Sequence, residues 1–307
     1  MKETSDVMQL QIYISNFEST NNLDYGLVEN WKVRDSKQFL NKFKVSSFRS
    51  FRISGGTLNP PDRPNSINLD DEKYMDANIF ESTLNTLKLL YRLIKFEFRM
   101  FYHHKSLFLF KKDSGNCGLR KITLFGKILS DASIRNSYYF AIFKKYFSEC
   151  KVILEIGGGY GHLASLISKN SDTTYYLCDL PQNLILAAEF LRQEKITFSV
   201  FNNDTVNHRG IILILPPDIE SLSPNLIINT MSFQHMSPAY ISYYFKIINE
   251  SQPNYLYLVN RNIKRDETDT IIDEYPISNI FKKIRISSIQ TKNHKEIIYA
   301  LQKKIKD

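Results

Sequence analysis

The stretch that most constrains this 307-residue chain runs from Val152 to Asp179. A short apolar run, Val152–Ile156, carries an acid at Glu155 and then breaks into Gly157, Gly158, Gly159 and Gly161. A helical run, Leu163–Ser168, follows, and a second apolar run, Thr174–Cys178, closes on Asp179. Further short apolar runs lie at Ile211–Leu215, Leu226–Asn229 and Tyr255–Val259, with helical segments between them. That alternation predicts a parallel α/β sheet. Ile284–Ser288 and Glu296–Gln302 flank the turn-like residues 291–294, and so short a connection implies an antiparallel closing hairpin.

Glycine after the first strand permits positive φ and lets a ligand approach the backbone closely. The spacing is Gly157-x-Gly159-x-Gly161, and His162 stands where a dinucleotide fold would place its last glycine. Glu155, at the strand end, would repel a pyrophosphate, whereas a ligand with an ammonium or sulfonium group suits it. The cofactor this predicts is S-adenosylmethionine rather than NAD. Asp179 ends the next strand and is placed to accept hydrogen bonds from ribose hydroxyls. Leu180, which follows it, is assigned to the cofactor as well, and Pro181 opens a helix whose buried face is Leu184, Ala187, Ala188 and Leu191.

Glu155-Ile-Gly-Gly-Gly-Tyr-Gly-His-Leu-Ala164 resembles motif I of class I methyltransferases. Taken with Cys178-Asp-Leu-Pro-Gln-Asn-Leu184 and Asn229-Thr-Met-Ser-Phe-Gln-His-Met236, it resembles the sugar O-methyltransferases of bacterial polysaccharide gene clusters. The resemblance covers residues 130–262 well and the N-terminal third loosely. It implies a Rossmann-like α/β sheet, mostly parallel with an antiparallel closing hairpin, behind a largely helical N-terminal region. It also implies methyl transfer to a sugar hydroxyl. The family's Ser-Phe segment is followed by x-Glu-Met. Here it reads Gln-His-Met, so His235 replaces the acid and a carboxylate that a metal site would use is gone.

Ligands of open α/β sheets sit beyond the carboxyl ends of the strands, so Asn229–Met236 should face the methyl donor. A sugar hydroxyl is a poor nucleophile and gains from a nearby base. His235, with an ordinary pKa near 6.5, is the candidate, beside a reading in which it only packs and alignment supplies the rate. Asn229 is assigned to the cofactor and Ser232 to the acceptor. Asp218, in Leu215-Pro-Pro-Asp218, is assigned to the adenine corner, although such a turn residue is ordinary there. Asn260 and Arg261 are candidates for a sugar hydroxyl or a diphosphate, with surface capping the alternative. No metal is expected. His103 and His104, adjacent on a helix, point apart, and His162 borders the cofactor.

Residues 1–128 are read as a mixed, mainly helical region serving as a lid, a dimer contact or an acceptor-binding part, and residues 129–307 as the cofactor domain. Within the first part, residues 72–111 lack Pro and Gly and predict one or two long helices. Leu87–Phe110 is apolar on more than one face. Packing in the core or at a dimer contact is favoured there over contact with a membrane or a lipid-linked substrate. Gly55–Ser66 and Asp113–Gly118 read as loops, and Asn59-Pro-Pro-Asp62 lacks the aromatic that base methyltransferases stack on a base. Residues 130–148 predict a helix with Ile134, Tyr138, Ile142 and Tyr146 on one stripe.

The net charge of +8 suits anionic partners: a sugar, nucleotide-sugar or lipid-linked glycan acceptor, with no nucleic acid expected because no RNA-binding motif appears. Cys117, Cys150 and Cys178 fit neither a zinc site nor a disulfide framework. The N-terminus has no signal-like apolar core, and no transmembrane run is present. These features point to the cytoplasm, with the inner face of the membrane as a possible working place.

Overall fold

The computed structural model describes residues 127–202, 209–265, 267, 269–288 and 293–302, together with 8–10, 12–14, 53–54, 57–58, 87, 90–91, 93–98, 100–101 and 121–124 of the N-terminal part. The strands are β1 (Ile53–Ser54), β2 (Thr57–Leu58), β3 (Lys121–Leu124), β4 (Lys127–Ser130), β5 (Val152–Ile156), β6 (Thr174–Cys178), β7 (Phe198–Val200), β8 (Gly210–Ile214), β9 (Leu226–Thr230), β10 (Tyr255–Arg261), β11 (Phe281–Ser288) and β12 (His294–Leu301). The α-helices with full bounds are α1 (Asp131–Tyr146), α2 (His162–Ser168), α3 (Pro181–Gln193) and α4 (Pro238–Ser251), and helical residues also lie between 8 and 14 and between 87 and 101.

Eight strands form one sheet in the order β11-β12-β10-β9-β5-β6-β8-β7. The strands from β5 to β10 pair in parallel, and β12 runs antiparallel to both β10 and β11. This is a Rossmann-like, mostly parallel sheet with an antiparallel closing hairpin, as the sequence predicts. The middle strands are buried on both faces. β6, Thr-Tyr-Tyr-Leu-Cys, is buried throughout, the continuous apolar reading of a covered parallel strand.

Side-chain alternation sorts the core into two layers. Ile153, Tyr175, Leu177, Ile211, Leu213 and Ile228 meet α1, α2 and α3 on one face. Leu154, Ile156, Tyr176, Ile212, Ile227 and Leu258 meet α4 on the other. Ile134, Tyr138 and Ile142 of α1 are buried as expected, and Tyr146 packs at the margin. Pro181 starts α3, and Leu184, Ala187, Ala188 and Leu191 form its buried face. Leu10, Ile14, Phe96 and Met100 of the N-terminal helical residues join the layer of α1–α3.

From β5 the chain builds outward through β6 to β8, then crosses back to place β9 on the other side of β5. The carboxyl ends of β5 and β9 therefore diverge at a topological switch point, where such sheets open a crevice. The glycine loop follows β5 and the segment Met231–Met236 follows β9, so both flank that crevice.

Some expectations shift. Thr57 and Leu58, read as part of a loop, pair with Ile53 and Ser54. The hairpin of β3 and β4 and the edge strand β7 were not foreseen. Asn260 and Arg261 end β10 rather than follow it. Residues 59–66, His103, His104, residues 113–118 and Cys117 lie outside the described residues, whereas Cys150 and Cys178 are buried free thiols. Among the described residues no helix is long and apolar enough to cross a membrane. The helical residues between 87 and 101 bury Phe96 and Met100 but expose Leu87, Tyr91, Ile94, Phe98 and Phe101.

Candidate active site

The glycines are required by space as well as by backbone angle. Gly157, Gly159 and Gly161 have φ of 76°, 59° and 82°, in the left-handed region. A Cβ on Gly157 would lie 1.9 Å from Ser232 Oγ, and one on Gly158 would lie 2.8 Å from Glu155 Oε2. The glycine loop thus touches the segment beyond β9 on one side and a carboxylate on the other.

The amides of this loop are committed within the protein. Gly157 and Gly158 donate to Cys178 O at 2.7 and 3.4 Å, Gly161 donates to Gly158 O at 3.2 Å, and Gly159 donates to Asp179 Oδ2 at 2.6 Å. A phosphate-binding loop works by pointing such N–H groups at its ligand. Here they point inward, and Glu155 lies beneath them.

Glu155 is 2% exposed and accepts a hydrogen bond from the Tyr175 hydroxyl at 2.8 Å. Burial pushes its pKa up to about 7; the Tyr175 bond opposes that rise and the Asp179 charge adds to it. Asp179 is raised to about 6 by burial, against the bonds it receives from Asn183, Leu180 and Gly159. Its Oδ1 accepts from Leu180 N and Asn183 Nδ2, both at 2.7 Å. A carboxylate offers roughly four acceptor positions, so Asp179 keeps room for one ligand hydroxyl rather than the two the sequence suggested. The second acceptor is at hand: Asn183 is 2% exposed, and its Oδ1 has no hydrogen-bond partner. Sequence reading missed Asn183, although its position one helical turn beyond Asp179 was a usable signal.

Beyond β8, the Tyr13 hydroxyl donates to Asp218 and accepts from Leu215 N at 3.0 Å. The N-terminal helical residues therefore cover the corner assigned to adenine. Tyr13 is separated from Asp218 by 205 positions and carried no sequence signal.

The segment after β9 is held by two amides. Asn229 Nδ2 donates to Ile156 O at 2.8 Å, and its Oδ1 accepts from Asn260 Nδ2 at 2.9 Å and from Phe233 N at 3.2 Å. Asn260 Oδ1 accepts from Gln234 N at 3.3 Å. Both asparagines are fully buried. In this arrangement they position the turn rather than present themselves to cofactor or acceptor. Met231 sits at φ 64°, strain of the kind that persists where the surroundings enforce it. Phe233 anchors the turn among Tyr244, Phe245 and Tyr275.

His235 is half-buried, and its Nε2 lies 3.1 Å from Gln234 Nε2. Burial lowers its pKa to about 4; Arg265 and His294 act in the same direction and Asp269 opposes them. The imidazole is therefore neutral at pH 7 but a weaker base than an unperturbed histidine. With Nε2 accepting from the Gln234 amide, abstraction through that nitrogen requires the amide to give way. Arg261 is 8% exposed and donates to Asp269 Oδ2 at 2.9 Å, so its charge is met inside the protein. His162 is buried, stacked on Tyr160, and bonded to Asn136 Nδ2 at 3.2 Å. Among the described residues no group of three or more His, Cys, Asp or Glu is placed to hold a metal ion.

No family model and no curated protein sequence matches the chain. Solved structures do. The mitomycin 7-O-methyltransferase MmcR is similar over 55% of this chain and 57% of its own, at 12% identity and TM-score 0.36. Magnesium protoporphyrin IX methyltransferase from Synechocystis PCC 6803, with bound SAH, is similar over 54% and 82%, at 11% identity and TM-score 0.39. Human N-acetylserotonin methyltransferase, in complex with SAM, is similar over 57% of each chain, at 10% identity and TM-score 0.35. Likeness at this level says nothing of substrate, and the fold is assigned from the strand order and the switch point.

Proposed function

We propose that this chain is an S-adenosylmethionine-dependent O-methyltransferase acting on a sugar hydroxyl, in the cytoplasm, on a glycan destined for surface polysaccharide. The observation that carries the cofactor is the glycine loop, whose amides are committed within the protein above the buried Glu155. A site of that polarity disfavours phosphate and favours a cationic ligand. Asp179 and Asn183 supply a pair of acceptors at the next strand end for ribose. The sugar rests on the resemblance of the Asp179-Leu-Pro and Asn229–Met236 segments.

When bound, S-adenosylmethionine supplies a methyl group already activated by its sulfonium, which passes to an acceptor oxygen as the oxygen gives up its proton. Glu155 and Asp179 would hold its cationic and ribose parts. Ser232, against Gly157, orients the acceptor oxygen. Asn229 and Asn260 fix the turn that carries Ser232 and His235. His235, neutral above pH 4 or so, takes the hydroxyl proton. In this reading Tyr13, among the described N-terminal residues, covers the adenine corner.

The test is incubation of purified protein with labelled methyl donor and a panel of free, nucleotide-linked and lipid-linked sugars, read by mass. A shift of one methyl on a sugar supports the proposal. Transfer only to phenols or carboxylates would replace the sugar with another small molecule. Cofactor binding with no transfer to any acceptor would favour a non-catalytic scaffold.

A further inference from the structure

The acceptor side of the crevice carries guanidinium groups that make no ion pair among the described residues. Arg135, half-buried on α1, directs Nη1 to Met231 Sδ at 3.4 Å, next to Ser232. A thioether is a weak acceptor, and among the described residues no carboxylate pairs with this guanidinium. Arg265, four residues beyond Arg261 and exposed, gives its backbone N–H to Asp269 Oδ2 at 2.9 Å. No salt bridge is made by its guanidinium among the described residues. His294 opens β12 directly across from Arg261. Burial lowers its pKa, and Arg135 and Arg265 lower it further, which places it in the field of both.

Several of the described acids nearby are engaged elsewhere. Asp269 is shared between Arg261 and the Arg265 backbone. Lys264 pairs with Glu274, and Lys295 with Asp273. Glu296 is fully buried, and its two oxygens accept the hydroxyls of Tyr138 and Tyr257 at 2.9 and 2.6 Å, inside the core. Arg135 and Arg265 remain as guanidinium groups suited to carboxylate or phosphate oxygens.

We propose that the acceptor is anionic, a sugar bearing a phosphate or a carboxylate, and that Arg135 and Arg265 hold that group so that a neighbouring hydroxyl meets Ser232 and His235. This inference rests on the methyltransferase reading of the same crevice. It narrows the acceptor from any sugar to an acidic or phosphate-linked one. Arg261, which the sequence offered for this task, is turned to Asp269.

The experiment is calorimetric titration of protein saturated with SAH, which fills the cofactor side and leaves only the acceptor side to be probed. UDP-glucose, glucuronate and glucose are the probes, and wild type is compared with Arg135→Gln, Arg135→Lys and Arg265→Gln. The expected result is binding of at least one anionic probe about tenfold or more tighter than glucose, weakening with salt. Arg135→Gln and Arg265→Gln should each remove most of that advantage, and Arg135→Lys should keep part of it, with SAH affinity unchanged throughout. Preference for UDP-glucose assigns phosphate, and preference for glucuronate assigns carboxylate. Equal or undetectable binding of the three probes to SAH-loaded protein overturns the inference alone. Failure of SAH to bind overturns the cofactor reading and this inference with it.

Discussion

The two sides of the crevice are built on opposite plans. On the β5–β6 side most polar groups are met within the protein: four glycine-loop amides have internal acceptors and Asp179 holds three donors, while Asn183 Oδ1 is left for the ligand. On the β9–β10 side, Met231 is strained, Gln234 Oε1 is buried without a hydrogen-bond partner, and the Arg135 guanidinium meets a thioether and, among the described residues, no carboxylate. A site whose shape must be complete before its ligand arrives satisfies its own groups. A site completed by its ligand leaves groups for that ligand to satisfy. On the proposed reading the cofactor half is largely preformed, and the acceptor half is completed by its substrate.

The contrast breaks most visibly at His235. His235→Ala should lower turnover by about 10²–10⁴ while leaving SAH affinity nearly unchanged. The wild-type acidic limb should fall near pH 4, where His235 protonates, rather than near 6.5. A variant that loses thermal stability but keeps turnover per folded molecule would assign His235 to packing and leave alignment by Ser232 to carry the reaction.

A smaller effect is expected at the seam between the two halves. Gly157→Ala puts a Cβ against Ser232 Oγ at a left-handed φ. The backbone strain alone is about 1–3 kcal/mol, so SAH affinity should fall roughly tenfold or more. Adding Ser232→Gly should recover the part due to the clash and not the part due to φ. Full recovery in the double variant, measured by calorimetry, would show that the backbone angle does not matter.

Tyr13→Phe removes the hydroxyl that joins Asp218 to Leu215 N. The expected cost is about 1 kcal/mol, read as a melting temperature lower by a few degrees. If the N-terminal residues close the adenine corner, SAH should dissociate faster from the variant, as stopped-flow would detect. The smallest expected effect is none: chelation by EDTA should leave turnover unchanged, and loss restored by magnesium would reveal ligands elsewhere in the chain.

The sheet was legible where both faces are buried. β5 and β6 begin and end at the residues the apolar runs predict, because a strand covered on both sides has no polar position to blur it. At the edges the signal thins. β7 lies at the margin and is half-buried, and β11 starts three residues earlier than predicted because Lys282 and Lys283 face solvent on an edge strand. The alternating run Lys121-Ile-Thr-Leu124 was a readable sign of β3. The residue types of the site were legible, but their partners were not. Nothing local tells that Asn260 holds Gln234, that Arg261 is turned to Asp269, or that Tyr13 reaches Asp218, since each pairing is made by the fold.

The central claim, a preformed site for a cationic adenosyl cofactor, is tested most directly by titrating the protein with S-adenosylmethionine, SAH and NADH between pH 5 and 7.5. Glu155 and Asp179 are raised to about 7 and about 6. In the ligand-free protein their contribution to stability is therefore fully present below the ordinary carboxylate range and is lost as pH rises through 6 to 7. A cation beside them favours the ionised carboxylates, so affinity for S-adenosylmethionine should climb across this window and level off above about pH 7, with protons released below it. At the plateau the account predicts micromolar binding, about −8 kcal/mol, at least tenfold weaker in Asp179→Ala, and no binding of NADH. Tight binding of NADH with none of S-adenosylmethionine would contradict it.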